Sequence, residues 1–161
     1  MIVSVFVLIL IIFGFYKIKE YNILKDVFVF SKDNIVSIWR VKKGEYIHDY
    51  NYKLPSDEID SLSNILTKSK LKKATINDSP SNDLGSMTIF LDGKIVEEEK
   101  GAFSYEFKRS ITLVPMDKDN VYVFLEINKP KNDGSFNVDT VMKKFYIINS
   151  KELVEFISKN T

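Results

Sequence analysis

The 161-residue chain contains no cysteine and a single histidine, His48. Without cysteine there is no disulfide scaffold, thiolate metal site, cysteine nucleophile or lipid-modified cysteine anchor. One histidine cannot build a multi-histidine metal site or paired-histidine chemistry. An excess of charge of one sign is missing too. The 23 Lys and Arg residues stand against 22 Asp and Glu, for a net charge of +1. Nucleic-acid binders usually carry a clear basic excess, so this class is set aside. Only 4 prolines and 6 glycines occur, and they form no linker, repeat or low-complexity tract. No Walker loop, GxGxxG fingerprint, GxSxG elbow or HExxH pair is present, so no cofactor is expected.

What is present falls into two unequal parts. Residues 1–16 read MIVSVFVLILIIFGFY, without a charge and with only Ser4 and Gly14 interrupting the apolar letters. As a helix this stretch spans about 24 Å, short of the roughly 30 Å hydrocarbon core. Ile18 can extend it, and Lys17 and Lys19 can reach the headgroups. A cleaved signal peptide wants small residues at the end of the apolar run, where this chain has Phe13-Gly14-Phe15-Tyr16. A buried amphipathic helix would show a polar stripe, and none is visible. Residues 1–16 are therefore expected to be a retained transmembrane anchor that brings the chain to the lipid bilayer. Residues 17–33 are expected to be a juxtamembrane stalk, in which Val27, Val29 and Phe30 form a short strand that starts the folded part, and 34–161 a single domain. Lys17, Lys19 and Lys25 follow the apolar run and no basic side chain precedes it, which by the positive-inside rule favours a cytoplasmic domain. A start codon further upstream would remove that asymmetry.

Beyond the front end, the pattern is that of an α+β domain. Residues 35–42 are β-branched and aromatic. Residues 46–54 alternate with period two, so the pair reads as a hairpin across Lys43-Gly44. Pro55-Ser56-Asp57-Glu58 opens a helix with a capping side chain and acidic residues in the first turn. Ile59, Leu62, Ile65 and Leu66 form its apolar stripe, and Lys68, Lys70, Lys72 and Lys73 crowd its end. Residues 76–85 read as a loop. Strands follow at 87–91, 94–96, 103–107, 111–114, 121–127 and 142–149, with Asp92-Gly93 a strong hairpin-turn signal and 129–137 a loop. Ser150 caps a last helix over 151–159. The expected architecture is an antiparallel sheet of six to seven strands with a main helix and a C-terminal helix on one face.

The one neutral-pH base, His48, has no nucleophile or orienting carboxylate on its strand face. Tyr46, His48, Tyr50 and Tyr52 share that face by the period-two rule. They are the candidate partner-binding platform for a peptide, glycan or protein, with core packing as the competing role. Glu97-Glu98-Glu99 reads as a solvated strand end. The acidic stretches at 117–120 and 132–134 lack the glycine and glutamate spacing of a calcium loop and read as turns. The lysines of 68–73 complement a helix C-terminus and could also meet lipid headgroups.

The hairpin, Leu54-Pro55, the helix stripe, Thr67-Lys68-Ser69-Lys70 and Ala74-Thr75-Ile76-Asn77-Asp78-Ser79-Pro80 together resemble small domains of unknown function. Such domains occur in anchored or lipidated envelope proteins of Gram-positive bacteria. The resemblance implies an exported domain with one helix against an antiparallel sheet, and it carries no functional residues over. With no cysteine to lipidate, the apolar segment would have to be the anchor. The expected role is a membrane-anchored, non-catalytic binding module at the bacterial envelope, with a protein or peptide partner. The alternatives are a cytoplasmic-facing regulatory or sensory protein and an envelope hydrolase using carboxylates.

Overall fold

Alternating aliphatic residues of the chain's second half build a wide antiparallel sheet in the computed structural model, which describes residues 7, 9, 11–15, 26–45, 48–50, 52–80, 85–97, 103–129 and 139–161. The strands are β1 (Ile35–Val41), β2 (His48–Asp49), β3 (Leu71–Lys73), β4 (Ser86–Glu97), β5 (Phe103–Pro115), β6 (Asn120–Lys129) and β7 (Asp139–Asn149). Helix α1 (Ser56–Lys68) lies between β2 and β3, and α2 (Lys151–Asn160) ends the chain. The strand order is β2-β1-β4-β5-β6-β7-β3, with every pairing antiparallel. This is the α+β architecture, with its C-terminal helix, that the alternation predicts.

One face of the sheet carries the core. Ile38, Met87, Ile89, Leu91, Ile111, Leu113, Val121, Val123, Leu125, Tyr146 and Ile148 share it, each buried. Against them lie Ile59, Leu62, Ile65 and Leu66 of α1 and Leu153, Val154 and Ile157 of α2. Both helices therefore cover the same face, because each has one apolar stripe to bury. The first turns are acidic, as the helix dipole favours, and Lys159 at the end of α2 reaches Glu58 at the start of α1 at 2.8 Å. Ser150 caps α2 by accepting from the Leu153 N–H at 3.2 Å. The expected cap of α1 is different: Pro55 holds that position and no side chain caps it.

Two pairs of strands expected to be separate are each continuous in the fold. Asp92-Gly93 is not a hairpin turn. Asp92 adopts a φ of +57° inside β4, and pairing with β5 keeps the same register on either side of it. The expected strands 87–91 and 94–96 are thus one strand, as are 103–107 and 111–114. The left-handed residue bends the ladder instead of reversing it. The lysines after α1 also differ. The helix stops at Lys68, and Leu71–Lys73 becomes an edge strand on β7.

The stalk expected over 17–33 is folded in from Asp26 onward. Residues 26–28 are helical, and Val27, Phe28 and Phe30 join the core, so the packed domain starts before residue 34. Ser63 of α1 fixes this segment. Its hydroxyl donates to the Phe28 carbonyl at 2.9 Å and accepts from the Phe30 N–H at 3.1 Å. Ser63→Ala leaves both buried backbone groups unpaired and is expected to lower stability by about 1–3 kcal/mol, read by urea unfolding. Most of the anchor expected over 1–16 lies outside the described residues. Val7, Ile9 and 11–15 are helical with exposed side chains. Among the described residues, no helix is long and apolar enough to cross a membrane.

Candidate functional site

Of the expected platform, Tyr50 and Tyr52 lie on opposite faces of the sheet. Tyr46 lies outside the described residues, and His48 pairs with Val41 through its backbone. The strand ends at Asp49, so the period-two rule stops there. Tyr50 sits in the following turn, 54% exposed, and its ring meets Trp39 edge-on at 4.8 Å. Tyr52 lies on the helix side instead. Its hydroxyl donates to Asn160 Oδ1 at 3.0 Å, and the Arg40 guanidinium stacks 3.8 Å from its ring centre. Arg40 is held in turn by Asp49 at 2.8 Å and by the Asn160 carbonyl. Trp39 and Arg40 are consecutive in β1, so Tyr50 and Tyr52 end up on opposite faces.

The face away from the helices is the better candidate. The residues of opposite parity to the core, Trp39, Thr88, Phe90, Ser110, Thr112, Tyr122, Phe124 and Phe145, line it across five strands. Trp39 contacts Phe90 at 4.5 Å and Phe90 contacts Phe107 at 4.8 Å. On the far side Phe124 stacks on Phe145 at 5.1 Å. Between Trp39 and Phe90 on one side and Phe124 on the other lies a groove of about 280 Å³, lined also by Ser110 and Thr112 and by the charged residues Arg40 and Glu126. The Thr88 and Thr112 hydroxyls bond each other at 3.0 Å. Ring walls bind apolar or aromatic side chains well, since rigid rings lose little entropy on contact. The segment 74–78 folds over the edge of this face. Tyr122 donates to the Thr75 carbonyl at 3.1 Å, and burial pushes its phenol above the usual tyrosine range.

The acidic clusters have local partners. Asp117 accepts from the side chain of Asn120 and from the backbone N–H groups of Asp119 and Asn120, closing the β5–β6 turn. The Asn120 side chain, then those N–H groups, hold its carboxyl below the ordinary range. Asp78 is lowered by the Thr75 backbone N–H and hydroxyl. A depressed carboxyl stabilises the fold above its unfolded value near 3.9 and loses that contribution as pH falls through the folded value. Urea midpoints are therefore expected to fall below about pH 4, and the Asp117→Asn/Asp78→Asn pair should flatten that fall. The stretch at 132–134 and Glu98 and Glu99 lie outside the described residues. Among the described residues, no group of three or more His, Cys, Asp or Glu gathers as a metal site.

The aromatic face was legible only as parity. In β4 and β6 the aliphatic residues take one phase, and Thr, Ser and aromatic residues take the other. No family model, curated protein or solved structure matches the chain.

Proposed function

We propose that the protein is a membrane-tethered binding module that presents the helix-free face of its sheet to a protein or peptide partner. The observation that carries this reading is the groove of about 280 Å³ between the Trp39–Phe90 ring pair and Phe124. Such a groove takes one apolar side chain of a partner and leaves the surrounding rings to exclude water. The tether rests on the uncharged apolar run of residues 1–16. Confinement to a surface raises the effective concentration of a partner in the same membrane, so a modest interface suffices.

A photo-crosslinking amino acid at position 124 tests the face, with position 61 on the exposed side of α1 as reference. In full-length protein in its native membranes, position 124 should give a discrete adduct that position 61 does not. Tyr50→Ala, at the exposed end of the ring group, should weaken it. Equal adducts from both positions, or none, reject the reading. The side of the membrane is a separate question, because Lys17, Lys19 and Lys25 favour the cytoplasm while the envelope resemblance favours the exterior. Digestion of the domain by protease added to intact cells supports the exterior, and protection supports the cytoplasmic regulatory alternative.

A further inference from the structure

Beyond the sheet proper, β4 and β5 continue as a two-stranded arm. Residues 93–97 pair with 103–107, but among the described residues β1 pairs with β4 only up to Leu91, and β6 pairs with β5 only from Arg109. Two strands without a third, or without a covering helix, are marginal in water. The register gives the arm two unlike faces. Ile95 stands opposite Tyr105, Glu97 opposite Phe103, and Gly93 opposite Phe107, so apolar residue types dominate one set of alternate positions. The other set holds Lys94 opposite Glu106, joined at 3.4 Å, and Val96 opposite Ser104. Ile95 is 46% exposed.

The root of this arm is also where the segment beginning at Asp26 joins the fold. Arg109, beside the bend at Asp92, donates to the carbonyls of Asp26, Val27 and Val29 at 2.7, 2.7 and 3.0 Å, and to Asp92 at 2.5 Å. The chain that precedes Asp26 begins with the uncharged run 1–16. Three bonds from one guanidinium thus fix residues 26–29 at the root of the arm. The arm leaves the sheet at that same end, while the turn at 42–45 lies at the opposite end.

We infer that the β4–β5 arm is a lipid-contacting element, laying its Ile95 face on the bilayer surface beside the point where the tether enters. This rests on the tethering reading above. The occupant is lipid because the chain leading from the uncharged apolar run joins the domain at Asp26, at the root of the arm that carries the half-exposed Ile95. An amphipathic ribbon gains by placing its apolar face in the interface while its ion-paired face stays in water.

The absence of cysteine makes a clean test possible. Lys94→Cys on the arm and Glu45→Cys at the opposite end, each in the full chain, carry an environment-sensitive fluorophore. The protein is reconstituted with phosphatidylcholine vesicles containing one-fifth phosphatidylglycerol and a nitroxide-bearing lipid. Quenching should be at least twofold greater at position 94 than at position 45, and Ile95→Asp should abolish the difference. Flotation of the vesicles reports the tether separately. Chain that floats with equal quenching at the two positions overturns the arm's role and leaves the tether standing. Chain that does not float overturns both. A difference in quenching that survives Ile95→Asp, or crosslinking of position 94 between two copies, assigns the arm to another contact and rejects the proposal.

Discussion

Gly93→Ala is expected to lower the stability of the domain by about 3–5 kcal/mol, a large share of what a domain of this size possesses. A Cβ built on Gly93 would sit 1.8 Å from the Glu106 carbonyl oxygen and 2.8 Å from the Phe107 Cα. Both are backbone atoms of the paired strand, so no side chain can swing away. Relief requires the two strands to part at the bend, which breaks the ladder on both sides. Gly44 supplies the contrast. Its φ is +76° and nothing lies within 4 Å of an added Cβ, so Gly44→Ala carries only the left-handed penalty of roughly 1–2 kcal/mol. Urea unfolding of the two variants side by side should show the larger loss at position 93. Equal losses would mean that the close approach of the strands contributes nothing.

The second large effect belongs to Arg109→Met. The guanidinium is mostly buried, with its side chain 14% exposed, and it serves one carboxylate and three carbonyls. Removing it strands Asp92, itself only 28% exposed, and uncaps the backbone at 26–29. Loss of one partner from such a pair costs about 3–5 kcal/mol, chiefly because the other is left without compensation. Arg109→Lys should recover only part of this, since a point ammonium cannot reach four acceptors spread as a fork. Asp92→Asn is the milder test. Asparagine tolerates the left-handed backbone, and its amide oxygen still accepts from Arg109, so the variant isolates the charge. Denaturant unfolding gives the energies. Limited proteolysis adds a local readout, because cleavage over residues 26–33 should accelerate in Arg109→Met before the sheet itself opens. Unchanged cleavage would show that the packing of Phe28 and Phe30 alone holds the segment.

Both effects arise where local sequence rules and the fold part company. Asp-Gly is the strongest two-residue hairpin signal, yet its meaning depends on what the flanking strands meet. Here β5 runs alongside on both sides of it, and Arg109, placed by that pairing, binds the aspartate. Nothing near residue 92 in the chain announces residue 109. The same holds for Val27, Phe28 and Phe30, whose burial depends on Ser63 more than thirty residues away. Properties set by a single element were readable. The alternation of β6, the stripe of α1 and the capped start of α2 each follow from their own residues. Tyr50 and Tyr52 part company because β2 ends at Asp49, and the period of two ends with it. The aromatic groove is not legible in the sequence, because its rings come from three strands whose order only the folded sheet defines.

The strand order has a consequence for how the chain must assemble. Strands β4 to β7 are neighbours in sequence as well as in space, so they can zip up hairpin by hairpin. The earlier strands cannot join them that way. β1 closes locally with β2 but enters the sheet only on β4, and between β2 and β3 α1 carries the chain from one edge of the sheet to the other, where β3 docks on the later β7. Strand β3 waits for β7, which begins roughly 66 residues downstream, several seconds at about 5–20 residues per second. The lysines at 70, 72 and 73 keep that waiting segment soluble until its partner exists, and afterwards they discourage a neighbouring molecule from pairing along the finished edge.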